Sequence, residues 1–157
     1  TTTMATLQEI LQRHKGRRHQ IDEILPFLYL GSGESAKKKD DLKNLGITDI
    51  MNVADDVPNF HPNDFKYTNL HVADFGQDEG ISRVFEEAFK VIKSLDEGKT
   101  GKVYVHCAAG ANRSATLVIA IVMTIKGMTL KEAFEHVSSR RRICPMTDNR
   151  SNRIMRF

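Results

Sequence analysis

Cys107 lies in a sequence context where a thiol could act as a nucleophile. It follows a short apolar segment that ends at His106, and it opens a loop of small residues that closes at Arg113. Apolar residues then continue almost unbroken from Ala115, which is typical of a buried helix. The sequence therefore predicts a strand, a tight loop and a helix beginning near Asn112, in immediate succession.

This loop has the composition of an anion-binding site. Backbone N–H groups of a tight loop and the positive end of the following helix converge on one point and favour a phosphate there. Gly110 permits a backbone geometry that a side chain would obstruct, and Arg113 offers a planar donor fork for two phosphate oxygens. We therefore predict that phosphate is bound by the loop residues Ala108, Ala109, Gly110, Ala111, Asn112 and Arg113.

Such surroundings favour a thiolate over a thiol. A free cysteine titrates at about 8.5, and cysteines in comparable sites titrate at roughly 3.5–7.5, so we expect Cys107 to be a nucleophile at neutral pH. His106 and Ser114 flank the loop and could tune the thiolate through hydrogen bonds, and the serine hydroxyl could help the sulfur to leave. The alternative is an inert buried thiol, which is the usual state of a single cysteine.

The pattern His-Cys-x5-Arg-Ser, with a glycine in its middle, resembles the signature of the cysteine-dependent protein tyrosine phosphatases. The small size of the chain indicates the dual-specificity branch, and three further segments resemble that branch in the same order: 24–32, 45–54 and 127–134. The resemblance extends from residue 24 to about residue 145. It implies a dual-specificity phosphatase catalytic domain over residues 24–157, preceded by an N-terminal extension, residues 1–23, that is partly helical.

Hydrolysis of a phosphate ester through a thiolate also requires a proton donor for the leaving group. An acidic segment, residues 74–80, links a predicted strand to a predicted helix and carries three carboxylates. Asp74 stands where the resembling family keeps its general acid, so the resemblance implies that Asp74 protonates the leaving group. Spacing alone leaves Asp78 and Glu79 open, although a solvated surface charge is favoured for both.

Three further positions are interpreted through the same resemblance. Arg141 corresponds to a position that meets a second phosphate in some relatives, and the alternative is a solvated arginine in a run of three. Asn112 occupies a loop position that is often serine, and it still offers hydrogen bonds. The segment after Pro145 lacks the Asn-x-Gly-Phe that is common in the family, which puts in doubt the docking of a last helix over residues 150–157.

Hydrophobic patterning alternates strands with helices along the chain. Strands are predicted over residues 24–30, 47–53, 66–72 and 102–105, and helices over 35–44, 81–95, 112–126 and 129–139. This alternation predicts a single α/β domain with a central, mostly parallel sheet of about five strands and helices on both faces. Cys107 then lies at the carboxyl end of a strand, where such sheets bind ligands. Asn52, which is polar within a strand, is expected to order a nearby loop, and Thr129 with Glu132 predicts a capping box.

Composition narrows the class of protein. A chain of 157 residues matches one domain, and it contains no apolar run close to the ~20 residues that span a membrane. The net charge of +3 is too small to indicate a nucleic-acid partner. The histidines and cysteines lack metal-ligand spacing, so we expect neither metal nor cofactor.

The compartment and the oligomeric state are expectations from the same sequence. Two cysteines are too few for a disulfide framework, and no secretory signal is seen at the N-terminus, so we expect a reducing compartment, the cytoplasm or the nucleus. A monomer is favoured, although the sequence does not fix the oligomeric state.

The charge of the loop bears on the substrate class. Relatives with lysines in the loop favour phosphoinositides, whereas the alanines here add no charge, which favours phosphotyrosine and phosphoserine or phosphothreonine in proteins. One alternative is a phosphatase for a non-protein ester, a phosphoinositide or an RNA 5′ end. Another is an interaction module that binds phosphate with little turnover.

Overall fold

A computed structural model describes residues 20–73, 81–98, 100–143, 147–148 and 153–154. Its main sheet has five strands: β1, Asp22–Leu25; β2, Leu28–Gly31; β3, Asp49–Ala54; β4, Lys66–Val72; and β5, Val103–His106. Their spatial order is β1-β2-β5-β3-β4. β2, β5, β3 and β4 run parallel, and β1 is an antiparallel edge strand. The prediction of a mostly parallel five-stranded sheet is confirmed.

Among the described residues, four α-helices and two short 3-10 helices accompany the strands. The α-helices are α1, Lys39–Asn44; α2, Phe85–Gly98; α3, Arg113–Lys126; and α4, Leu130–Ser138. The 3-10 helices are Ser35–Lys37 and Ile81–Val84. No helix in the described part of the chain is long and apolar enough to cross a membrane.

The strands bury side chains on both faces of the sheet. Along β5, Val103 and Val105 pack in the larger core cluster, whereas Tyr104 packs in a separate one on the opposite side. This alternation follows from the two-residue period of a strand. Helices α2, α3 and α4 contribute to the larger cluster, and Leu42 of α1 belongs to the smaller one. Helices therefore cover both faces, as the sequence predicts.

Helix α3 lies at the centre of the larger core. Its residues from Arg113 to Val122 are all buried, which explains the apolar pattern seen all round this helix in the sequence. Gly127 ends the helix in the left-handed conformation with φ 64°, which glycine adopts without a steric penalty. The first ten residues of the helix are thus packed on every side.

Helix α4 begins with the predicted capping box. The Thr129 hydroxyl accepts from the backbone N–H of Glu132 at 3.2 Å, and the Glu132 carboxylate accepts from the Thr129 N–H at 3.0 Å. Two donors that the first helical turn would leave unpaired are satisfied in this way. Capping also lowers the pKa of Glu132, because the backbone N–H of Thr129 stabilises the carboxylate.

Local geometry differs from the sequence prediction in three places. The predicted strand over 24–30 is two antiparallel strands joined by a turn at Pro26 and Phe27, because proline has no N–H for a sheet ladder and favours turns. The predicted helix over 35–44 is a 3-10 turn followed by α1, since the backbone of Lys38 leaves the helical region at ψ 74°. The helix over 81–95 likewise begins as a 3-10 turn.

The C-terminal prediction of a helix over 150–157 is wrong where the structure describes that segment. Thr147–Asp148 and Arg153–Ile154 form a two-stranded antiparallel pair, β6 and β7. Ile154 is β-branched, a residue type that favours a strand over a helix. Residues 1–19 lie outside the described part of the chain, so the predicted N-terminal extension, with its boundary at residue 23, stays a prediction.

Replacing the capping residue of α4 should cost stability but not activity. Thr129→Ala removes the acceptor for the Glu132 N–H, so we expect the free energy of unfolding to fall by about 1 kcal/mol. Urea denaturation measures the change. Lys131→Ala, exposed in the same helix, is the matched control and should shift stability by less than about 0.5 kcal/mol. Equal losses in the two variants would contradict the capping role.

Candidate active site

Cys107 lies directly after β5, at the carboxyl end of the sheet. The strand is flanked by β2 and β3, and Gly31 and Asn52 are paired with His106 across the ladder. Only 2% of Cys107 is exposed, but the next two loop residues, Ala108 and Ala109, are exposed. The sulfur thus lies at the bottom of a loop whose rim is open to solvent.

Two polar groups contact the sulfur of Cys107. The backbone N–H of Gly110 donates to Sγ at 3.3 Å, and the Ser114 Oγ lies 3.1 Å from Sγ. Both groups stabilise negative charge on sulfur. Because Ser114 is in the first turn of α3 and fully buried, its hydroxyl is held beside the sulfur. The structure therefore places Ser114 where the sequence analysis predicts it.

Gly110 is required by the shape of the loop. It has φ 67°, and a Cβ at this position would overlap the backbone of Gly31. A neighbouring segment supports the loop, since the Gly33 N–H donates to the Ala108 carbonyl at 2.8 Å. That segment is itself tied to β5, because the Tyr104 hydroxyl donates to the Ser32 carbonyl at 2.6 Å.

The side chain of Arg113 is buried at the end of the loop and is ion-paired. Its Nη1 donates to Asp56 Oδ1 at 3.0 Å and to the Val72 carbonyl at 2.9 Å, and it lies 3.5 Å from Asp55 Oδ1. The Arg113 side chain is 2% exposed, whereas the side chain of Asp55 is 44% exposed and that of Asp56 is 58% exposed. Nη1 is thus fixed by acceptors from β4 and from the segment after β3.

The sequence analysis does not identify Asp55 and Asp56 as site residues. They directly follow β3, the neighbour of β5, so they share the carboxyl edge of the sheet with Cys107. This position, directly after a central strand, is the sequence feature that could have identified them as site residues. Asn52 orders the same segment, as predicted: its Nδ2 donates to the Val57 carbonyl at 2.6 Å, and its Oδ1 accepts from the Ala54 N–H at 3.2 Å.

His106 contacts the backbone of Cys107. Its Nδ1 lies 3.1 Å from the Cys107 carbonyl, and the ring stacks on Tyr104 at 5.6 Å. Because a carbonyl only accepts, Nδ1 carries the proton, and Nε2 is buried with no hydrogen-bond partner among the described residues. Burial lowers the pKa of His106 from 6.5 to about 4, and the bond to the Cys107 carbonyl raises it in part. A role in tuning the thiolate stays a prediction.

All three guanidinium nitrogens of Arg141 donate to acceptors within the protein. Its side chain is 3% exposed. Nε donates to the Gly110 carbonyl at 2.8 Å and Nη2 to the Ala109 carbonyl at 3.0 Å. The side chain is therefore not solvated, which corrects that interpretation from the sequence. A contact with a second phosphate stays a prediction. Its guanidinium donates to two carbonyls on the outer side of the loop. The residue types near position 141 do not predict this long-range contact.

The predicted general acid and its alternatives, Asp74, Asp78 and Glu79, lie outside the described residues. The described chain leads to them through Val72, whose carbonyl contacts Arg113. No group of three or more His, Cys, Asp or Glu side chains that could hold a metal ion occurs in the part of the chain that the structure describes.

Comparisons with known proteins identify the family of this chain. A family model described as "Dual specificity phosphatase, catalytic domain" matches residues 28–157. The chain belongs to the dual specificity phosphatase family. Dual specificity protein phosphatase 1-A of Xenopus laevis is 42% identical over 135 residues, which is 86% of this chain and 36% of that protein. Dual specificity protein phosphatase 1 of Homo sapiens is 41% identical over 135 residues, again 86% of this chain and 36% of the relative.

Solved structures of dual specificity phosphatases and related proteins share the fold. A human tyrosine phosphatase-like serine/threonine/tyrosine-interacting protein superposes with a TM-score of 0.72 at 36% identity, over 80% of this chain and 87% of that chain. DUSP15 superposes with a TM-score of 0.69 at 32% identity, over 76% and 74%. The chain spans about a third of the length of the curated relatives that it matches.

Burial of a neutral His106 predicts loss of stability in mild acid. The unfolded state takes up the histidine proton below about 6.5, whereas the folded state resists it down to about 4. The free energy of unfolding should therefore fall by up to about 3 kcal/mol as pH is lowered through this window. Urea denaturation of the wild type and His106→Asn between pH 7.5 and pH 4 measures the difference. Parallel pH profiles for the two proteins would contradict the prediction.

Proposed function

We propose that this chain hydrolyses phosphate monoesters on phosphoproteins, both phosphotyrosine and phosphoserine or phosphothreonine, through a phosphocysteine intermediate. One observation carries the proposal: the sulfur of Cys107 accepts from the Gly110 N–H and touches the Ser114 hydroxyl inside a loop that ends at Arg113. Membership of the dual specificity phosphatase family supports it.

In the first step, Sγ of Cys107 attacks phosphorus. The S–P bond forms as the bond to the ester oxygen breaks, and the leaving oxygen takes a proton from Asp74. The loop N–H groups and the guanidinium of Arg113 stabilise the charge on the other three oxygens. Arg113 can serve in this way because acceptors on Nη1 fix the orientation of its planar group.

In the second step, water attacks phosphorus and loses a proton to Asp74. The P–S bond breaks, and the electron pair returns to the sulfur of Cys107. The Ser114 hydroxyl, 3.1 Å from Sγ, stabilises the departing thiolate. Inorganic phosphate is released, and Asp74 is again protonated for the next cycle.

Phosphoproteins are the proposed substrate class because the loop carries little charge of its own. Ala108, Ala109 and Ala111 add no cations to meet the extra phosphates of an inositol lipid or an RNA 5′ end. The exposed rim at Ala108 and Ala109 is open to a phosphorylated side chain of a protein. A monomer in the cytoplasm or the nucleus is part of the same proposal.

A phosphate-binding interaction module is the second candidate. It is favoured by one structural relative, whose name describes a tyrosine phosphatase-like interacting protein. Cys107, Ser114 and Arg113 are all present here, and a module that only binds has no need of a nucleophile. Turnover of a generic aryl phosphate distinguishes the two functions.

Cys107→Ser should abolish hydrolysis and retain binding. A serine hydroxyl is a far weaker nucleophile than a thiolate at neutral pH, while the loop N–H groups and Arg113 remain. Binding of this variant to a phosphotyrosine peptide, a phosphothreonine peptide, a phosphoinositide and a triphosphate-ended RNA should be measured side by side. We expect the peptides to bind tightest. Turnover above contamination, or a lipid or RNA preferred by orders of magnitude, would contradict the proposal.

Asp74→Asn should slow substrates according to their leaving group. Phosphothreonine needs a proton on its departing oxygen, so its turnover should fall strongly, whereas an activated aryl phosphate departs unassisted and should be affected much less. The basic limb of the pH–rate profile should flatten while the acidic limb remains. Asp78→Asn and Glu79→Gln are the matched controls and should do neither. Loss of the basic limb in Asp78→Asn alone would move the acid role to Asp78.

A further inference from the structure

The guanidinium of Arg141 lies behind the 107–113 loop and binds two of its carbonyl groups. Nε donates to the Gly110 carbonyl at 2.8 Å, and Nη2 donates to the Ala109 carbonyl at 3.0 Å. Nη1 donates to Asp22 Oδ2 and to the Gln20 carbonyl, both at 3.0 Å. The side chain thereby joins the loop to the start of the edge strand β1.

These two contacts determine the direction of two peptide groups. In a trans peptide, the C=O of one residue and the N–H of the next point in opposite directions, and the described part of the chain has no cis peptide. A carbonyl of Ala109 held outward turns the N–H of Gly110 inward. That inward direction is observed, because the Gly110 N–H donates to Sγ of Cys107 at 3.3 Å. By the same geometry, the Gly110 carbonyl directs the Ala111 N–H to the anion side.

We propose that Arg141 is a positioning residue: by binding the Ala109 and Gly110 carbonyls, it aims the N–H groups of Gly110 and Ala111 at the sulfur and at the bound phosphate. Asp22 fixes the guanidinium in that orientation and balances its buried charge. The inference rests on the proposed function for its catalytic consequence, but its effect on the sulfur and on anion binding does not require turnover.

The shape of the guanidinium matters more than its charge. Three nitrogens reach the two loop carbonyls and the Asp22 carboxylate in different directions, which a planar fork can do and a single ammonium cannot. The fit is close, since a Cβ at Gly110 would lie 2.9 Å from Nη2 of Arg141. A lysine would keep the charge near the loop and lose at least one of the two carbonyl contacts.

The test compares Arg141→Lys, Arg141→Gln and Asp22→Asn with the wild type. Arg142→Gln is the matched control, because Arg142 is the exposed neighbour of Arg141. Three quantities should be measured: the dissociation constant of vanadate, the pH dependence of carboxymethylation of Cys107 by iodoacetate, followed by mass spectrometry, and kcat/KM for an aryl phosphate. Urea denaturation identifies any variant that fails to fold.

Loss of the carbonyl contacts should weaken vanadate binding by about 10- to 100-fold in both Arg141 variants. The pH at which iodoacetate begins to modify Cys107 should be higher than in the wild type. The value of kcat/KM should fall in parallel with the affinity for vanadate. Asp22→Asn, which leaves the loop contacts in place, should shift all three measurements in the same direction by a smaller factor. The Arg142→Gln control should match the wild type.

The proposal is overturned if Arg141→Lys retains the vanadate affinity and carboxymethylation profile of the wild type, because charge alone would then suffice. If the Arg141 variants do not fold, Asp22→Asn decides: an unchanged profile overturns the proposal and a shifted one supports it. A wild type without turnover would contradict the proposed phosphatase activity, whereas the carboxymethylation profile would still test Arg141.

Discussion

The structure depends on one constraint, which is that several backbone N–H groups must point at the same place as the Cys107 sulfur. A short loop does not hold such an arrangement alone, because its carbonyls then point outward and need donors of their own. Here those donors come from distant segments. The Gly33 N–H meets the Ala108 carbonyl, and Arg141 meets the carbonyls of Ala109 and Gly110. The loop is thus held from outside so that its inner side can bind an anion.

The parallel sheet brings these parts together. Four neighbouring strands end at the same edge, and each delivers a different contribution: support for the loop after β2, the predicted nucleophile after β5, carboxylates after β3 and a carbonyl acceptor from β4. Residues that are far apart in sequence therefore meet around one sulfur. This is the general location of ligand sites in such sheets, and here the anion-binding N–H groups of the loop add to it.

Local features of the sequence were the easiest to predict. The strand over 66–72, the end of the helix at residue 126 and the capping box at Thr129 each follow from a few adjacent residues, and all are confirmed. Placement of Cys107, Gly110 and Ser114 around one point also follows, because strand, loop and helix are contiguous.

Long-range contacts could not be predicted in the same way. Nothing near Arg141 in the sequence indicates that it binds carbonyls about 30 residues earlier in the chain, since that contact depends on how α4 packs beside the loop. The pairing of Asp56 with Arg113 likewise depends on the strand order of the sheet. The turn at Pro26 was missed for a different reason. Proline is a local turn signal, but apolar residues on both sides made the segment resemble one continuous strand.

In the proposed function, the ion pairing of Arg113 makes phosphate binding an exchange of ionic contacts rather than a simple addition. The buried guanidinium of Arg113 has the carboxylates of Asp55 and Asp56 as partners, which compensate its charge. A phosphate dianion bound by the loop then shares the guanidinium with these carboxylates, and an arginine with balanced charge remains when phosphate departs. The affinity of the loop for phosphate is therefore a difference between two sets of ionic contacts, which weakens the binding of the product and favours its release.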